Sequence, residues 1–161
     1  MAGSPDRRAD RGMLSGKYSV TIRRTAGDVF DHIADGARNA SWRGPVVDVA
    51  LVDGNGTEGS VWHQLLRGFS GRVAEADYRV TAYDRPRRYA FELIAGPTLG
   101  SADYTLAEIA PSTTRLSLAL TLRPRGLLAG LTGLVRRQMA TELDSLDRLR
   151  ELLETAPPVS S

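Results

Sequence analysis

Read as polar and apolar positions, the chain divides into a strand-rich middle and a helical end. Lys17 to Arg23 alternates, with Tyr18, Val20 and Ile22 apolar, which is the period of a half-buried strand. Thr25 stands three residues before Asp28, close to a capping box, and Val29, Phe30 and Ile33 follow at helical spacing. Gly36 to Trp42 reads as a second short helix or turn, closed by Gly44-Pro45. Six further strands are expected: Val46–Val52, Ser60–Leu66, Arg72–Tyr83, Arg88–Ala95, Gly100–Ile109 and Thr114–Leu122. The turns between them carry Asp53-Gly54-Asn55-Gly56, Arg67-Gly68, Asp84-Arg85-Pro86, Gly96-Pro97 and Ala110-Pro111-Ser112-Thr113. Leu116, Leu118, Leu120 and Leu122 form a regular row that must face a core.

A long helix is expected from near Leu127. Leu131, Val135, Met139, Leu143, Leu146, Leu149 and Leu153 recur at steps of three and four, an amphipathic stripe. Gly130 and Gly133 interrupt its first turns, where glycine costs about 1 kcal/mol relative to alanine. A loosened start, or a close approach to something, is expected there.

A block of antiparallel strands followed by one long helix is an α+β arrangement with the helix on one sheet face. Seven strands joined by short turns must curl or leave a face bare. A sheet curled around the helix encloses a volume that side chains need not fill, which is the physical case for a cavity. Residues 17–154 form this domain; residues 1–16 and 155–161, rich in Arg, Asp, Gly, Ser or Pro, read as disordered tails.

Composition removes several alternatives. With 161 residues and 42% hydrophobic, one core forms without staples. The absence of cysteine excludes disulfides, thiol nucleophiles and cysteine-ligated zinc. Net charge is only +2, and the cations (Lys17 and twenty arginines) are dispersed, so no nucleic-acid partner is expected. The longest apolar run, Leu127 to Val135, is too short for a membrane span, and residues 1–16 lack an apolar signal core. A cytoplasmic location is expected, as a monomer or homodimer.

The order and spacing of several segments resemble a known family. These are Ser19–Ile22, the helix opening Ala26–Asp35, Trp42, Gly59-Ser60-Val61-Trp62, Val80–Tyr89, Thr113–Leu116 and Leu143–Glu154. Together they resemble the START/Bet v 1-like (SRPBCC) superfamily, in its polyketide cyclase/dehydrase-like branch. The resemblance implies a helix-grip fold, with a curved antiparallel sheet of about seven strands around the C-terminal helix. It also implies an apolar ligand, since members bind lipids, sterols, hormones and polyketides or catalyse cyclisation. A shared fold does not carry a shared reaction.

Recognisable catalytic motifs are scarce. Gly54 to Gly59 fits G-x-G-x-x-G but lies between two strands, without the helix that holds a pyrophosphate. Two histidines with no metal-binding spacing argue against a metal, and no cofactor is expected. His63 is the first candidate for proton transfer, provided that its strand face, shared with Val61 and Leu65, looks into the cavity. His32 reads as a partly exposed helix residue. Tyr78, Tyr89 and Tyr104 sit on strands with apolar neighbours, and a ligand oxygen can partner a buried hydroxyl. Tyr78 and Tyr104 join His63 as catalytic candidates; Arg72, Arg79 or Glu92 would be inward polar residues, as in the cyclases that the chain resembles. Trp62, Phe91, Leu118, Leu131, Val135 and Met139 are the expected ligand walls, with the mouth near Gly130 and Gly133.

Three functions fit this reading. The first is a carrier of a hydrophobic, lipid-like or polyketide-like molecule. The second is a polyketide aromatase/cyclase or dehydratase using one or two polar cavity residues. The third is a protein-interaction module without a ligand.

Overall fold

A computed structural model describes residues 13–68, 71–126, 130 and 132–156. The chain runs β1 (Leu14–Ile22), α1 (Ala26–Ala34), a 3-10 turn (Gly36–Arg38) and α2 (Asn39–Trp42). It continues through β2 (Val46–Asp53), β3 (Val61–Arg67), β4 (Val73–Glu75), β5 (Tyr78–Asp84), β6 (Arg88–Leu93), β7 (Thr98–Ala110) and β8 (Thr113–Pro124), then α3 (Thr132–Thr155). The strands form one antiparallel sheet in the order β1-β8-β7-β6-β5-β3-β2, with β4 paired to β3. The architecture is the expected α+β helix-grip fold, with eight strands where seven were expected.

The additional strand has a local cause. The segment expected to run unbroken from Arg72 to Tyr83 is interrupted between β4 and β5, at Ala76-Asp77. There the Asp77 carboxylate accepts from the Gln64 backbone N–H at 3.3 Å. A side chain has taken a position that a backbone carbonyl would hold in an unbroken ladder. Strand β1 also begins earlier than expected, at Leu14. It lies against α3 at Gly16, where a Cβ would stand 2.8 Å from the Met139 sulfur. The low-hydrophobicity Ser15-Gly16 pair conceals this strand in the sequence.

Period-two alternation decides the inner face. In β8, Leu116, Leu118, Leu120 and Leu122 are all buried and face the helix, while Arg115 and Arg123 point outward. On α3 the stripe faces inward as expected at Val135, Met139, Leu146 and Leu149. Leu131 lies outside the described residues. Helix α1 is capped as expected, with the Thr25 side chain accepting from the Asp28 N–H at 3.2 Å. Its Phe30 enters the core edge-on to Tyr83, with centroids 5.0 Å apart, and to Tyr89. Asp31 receives a bidentate pair from Arg85 in the β5–β6 turn, which ties α1 to the sheet.

Candidate functional site

The inner face of the sheet is not uniformly filled. Trp42, Trp62, Tyr78, Tyr89, Phe91 and Tyr104 pack into one aromatic block, including a stacked Trp62–Tyr78 pair. This block occupies the part of the grip nearest α1 and α2. Gly36 is needed beside it, because a Cβ there would stand 2.6 Å from both the Trp62 ring and the Tyr78 hydroxyl. The open space lies beyond the block, toward the first turns of α3.

That space is an apolar pocket of about 370 Å³ bordered by Leu66, Ala74, Leu93, Pro97, Leu122 and Val135, with Arg72, Glu75 and Leu134 among its rim residues. It adjoins an inner chamber of about 30 Å³, with which it shares Leu66, Leu93, Leu122 and Gln138. The chamber is walled by Phe91, Leu118 and Leu120 and closed by Arg43, Tyr104 and Glu142. An apolar cleft of this size with a few convergent polar groups is the usual form of a small-molecule site. A cleft of about 580 Å³ at the other end of α3 is ringed instead by Arg24, Asp28, Asp31 and Arg38.

The polar end is a network reaching across the fold. Arg43, immediately after α2, donates from Nε and Nη2 to the two Glu142 carboxylate oxygens at 3.0 and 3.2 Å. Its Nη1 donates to Gln64 Oε1 at 3.2 Å, which also accepts from Asn39. Asn39 donates in turn to the Tyr78 hydroxyl at 3.0 Å. Both members of the ion pair are buried, at 6% and 8% exposure. The guanidinium also sits over the Phe91 ring, 5.9 Å from its centroid. Burial alone would pull the Arg43 pKa down, but the adjacent Glu142 carboxylate outweighs this, so the arginine stays charged.

The expected site residues separate into distinct groups. Tyr104, Phe91 and Leu118 line the inner chamber, and Val135 lines the outer pocket. Trp62 and Tyr78 belong to the aromatic block rather than to the lining, with the Tyr78 hydroxyl held by Asn39. Met139 packs against β1 at Gly16. Leu131 is not among the described residues.

His63 lies on the opposite side of the sheet. The inward residues of β3 are Trp62, Gln64 and Leu66, so His63 shares the outer face with Val61 and Leu65. There its Nδ1 lies 2.7 Å from Asp77 Oδ1, with the ring about one-third exposed. The condition attached to His63, that its face look into the cavity, is not met. Arg79 and Glu92 likewise pair with each other across exposed positions, whereas Arg72 stands at the pocket rim. His32 is buried rather than partly exposed, with Nδ1 3.4 Å from Arg38 Nη1.

Two residues of the inner chamber, Arg43 and Glu142, were absent from the sequence expectations. Glu142 had a readable signal, since it falls three residues after Met139 and four before Leu146, on the buried stripe itself. A search for apolar positions passes over it. Arg43, between Trp42 and Gly44-Pro45, has no comparable mark.

The buried tyrosines give the fold an alkaline limit. Burial pushes the Tyr78 phenol up from its ordinary 10.0 to about 12, against the opposing pull of Arg43. Tyr89 and Tyr104 are raised too, again chiefly by burial. Above pH 10 the unfolded chain therefore releases these protons while the fold retains them. Stability is full below that pH and falls by about 1.4 kcal/mol per pH unit for each tyrosine as pH climbs toward 12. Denaturant melts at pH 9 and 11 check this; equal midpoints would contradict it.

Comparison with known proteins places this geometry. The chain's fold matches an aromatase/cyclase, Zhui from Streptomyces sp. R1128, with a TM-score of 0.72 at 20% identity over 91% of this chain and 99% of that one. It also matches TTHA0849 from Thermus thermophilus with a TM-score of 0.75 at 17% identity, covering 89% of this chain and 100% of that one. A START superfamily protein from Mycobacterium smegmatis matches with a TM-score of 0.69 at 13% identity, covering 88% and 98%. At such identities the likeness concerns the fold. No match is found among curated proteins. The model of the family described as "Polyketide cyclase / dehydrase and lipid transport" matches residues 13–154. The chain therefore belongs to that family.

Proposed function

We propose that this protein binds a mainly apolar small molecule, lipid-like or polyketide-like, between sheet and C-terminal helix. The observation that carries this reading is the apolar pocket of about 370 Å³ that continues into a chamber with a polar end. Burying an apolar ligand there gains roughly 25 cal/mol for each Å² removed from water. The rigid aromatic block limits how deep the ligand reaches, and Leu93 is one of the residues that line both chambers.

Binding is tested by displacement of a neutral naphthylamine dye and by native mass spectrometry of the purified protein. Saturable dye binding is expected, and Leu93→Trp, which adds bulk to the wall common to both chambers, should weaken it at least tenfold. His63→Ala should leave it unchanged, because that ring faces the other side of the sheet. A protein that takes up no dye would end the proposal and favour an interaction module.

Cyclase or dehydratase turnover is a second reading, favoured by the placement of Tyr104. Its side chain lines the inner chamber together with Arg43 and Glu142. A phenol and a guanidinium aimed at one carbonyl could stabilise negative charge developing on its oxygen. Retained binding with lost turnover in Tyr104→Phe would support this role.

A further inference from the structure

The inner end of the cavity is polar, yet its fixed charges cancel. Arg43 is the cation and Glu142 the anion, both buried and paired through two hydrogen bonds. We propose that the site selects ligands whose inner end is an uncharged hydrogen-bond acceptor, such as a ketone, ester or aryl ether oxygen. It therefore discriminates against carboxylates of the same length. This deepens the binding reading above and rests on it.

An unpaired guanidinium at the base of an apolar pocket would attract a carboxylate, because its fork matches two oxygens at once. Here that edge is occupied: Nε and Nη2 face Glu142, and Nη1 reaches Gln64. A ligand carboxylate would have to displace Glu142 or lie beside it as a second buried anion. Like charges in such surroundings repel strongly, and neither keeps its water.

What remains is a set of donors. Three of the guanidinium's five N–H groups have partners, leaving one on each terminal nitrogen. The Tyr104 hydroxyl is a third donor at the same chamber. All three can address a lone pair without a charge on the ligand. Size agrees with this, because about 30 Å³ is room for a water-sized group. An oxygen and its attached carbon suit that space, while Phe91, Leu118 and Leu120 take up the apolar flank.

The test compares matched ligands in displacement of the neutral naphthylamine dye at pH 7. Methyl laurate is expected to compete at a concentration at least tenfold below that of laurate. Glu142→Gln should then raise laurate affinity at least tenfold while leaving methyl laurate within about threefold, since the masked guanidinium is freed. That variant leaves a buried charge unpaired and can fail to fold. The Arg43→Met/Glu142→Leu pair removes both charges together and preserves the fold by the same reasoning. Within that double variant, the ratio of methyl laurate to tridecane affinity should fall at least several-fold below the wild-type ratio, whatever its affinity for the dye. Laurate binding as tightly as its ester, or an unchanged ester-to-alkane preference in the double variant, would overturn the proposal. Failure of the wild-type protein to bind the dye or any of these ligands would instead strike the binding reading itself.

Discussion

Arg43→Met alone is expected to lower the unfolding free energy by about 3–5 kcal/mol, because it strands the Glu142 carboxylate inside the grip. For a chain of this size that is a fall of roughly 6–20 °C in Tm. The Arg43→Met/Glu142→Leu pair should lose far less, and can even gain. Taking two charges out of water is expensive, and the attraction between them only repays that expense. Apolar side chains of similar volume avoid the cost altogether. Chemical denaturation of the two variants decides the matter. Equal destabilisation would mean that the pair stabilises the fold on its own account, beyond compensating its burial.

Phe30→Ala should cost about 3–5 kcal/mol, the usual range for truncating a fully buried aromatic ring. Phe30 stands edge-on to Tyr83 and Tyr89, at centroid separations of 5.0 and 6.2 Å, so its loss leaves a void lined by rigid rings. Rings held by the sheet close on such a void poorly, which places the expected value toward the upper part of the range. The void would lie near α1, whereas the pocket opens by the first turns of α3. Dye affinity should therefore survive at temperatures where the variant remains folded. A loss under about 1 kcal/mol in a denaturant melt would contradict this packing of Phe30 against Tyr83 and Tyr89.

The fold was legible because its signals are local and repeated. The leucine row of β8, the Thr25 cap and the α3 stripe each follow from residue spacing, and each stands where that spacing put it. The departures also have local causes. At Asp77 a side chain enters the strand ladder, and at Gly16 a strand is built from residues with little β character but the small size that α3 requires.

The site was legible only in part. Alternation establishes that His63 and Trp62 point to opposite faces of β3, but parity cannot say which face meets the helix. Only packing of α3 on the sheet made Trp62, Gln64 and Leu66 the inner set and left His63 outside beside Asp77. The chamber's ion pair joins positions 99 residues apart in sequence, one after a short helix and one on α3. By itself the sequence determined the strands, the helix, their apolar faces and so the existence of a grip. The position of the cavity, and the charge-balanced end that defines it, arose in tertiary structure, because pairing across the core depends on three-dimensional approach and leaves no periodic trace along the chain.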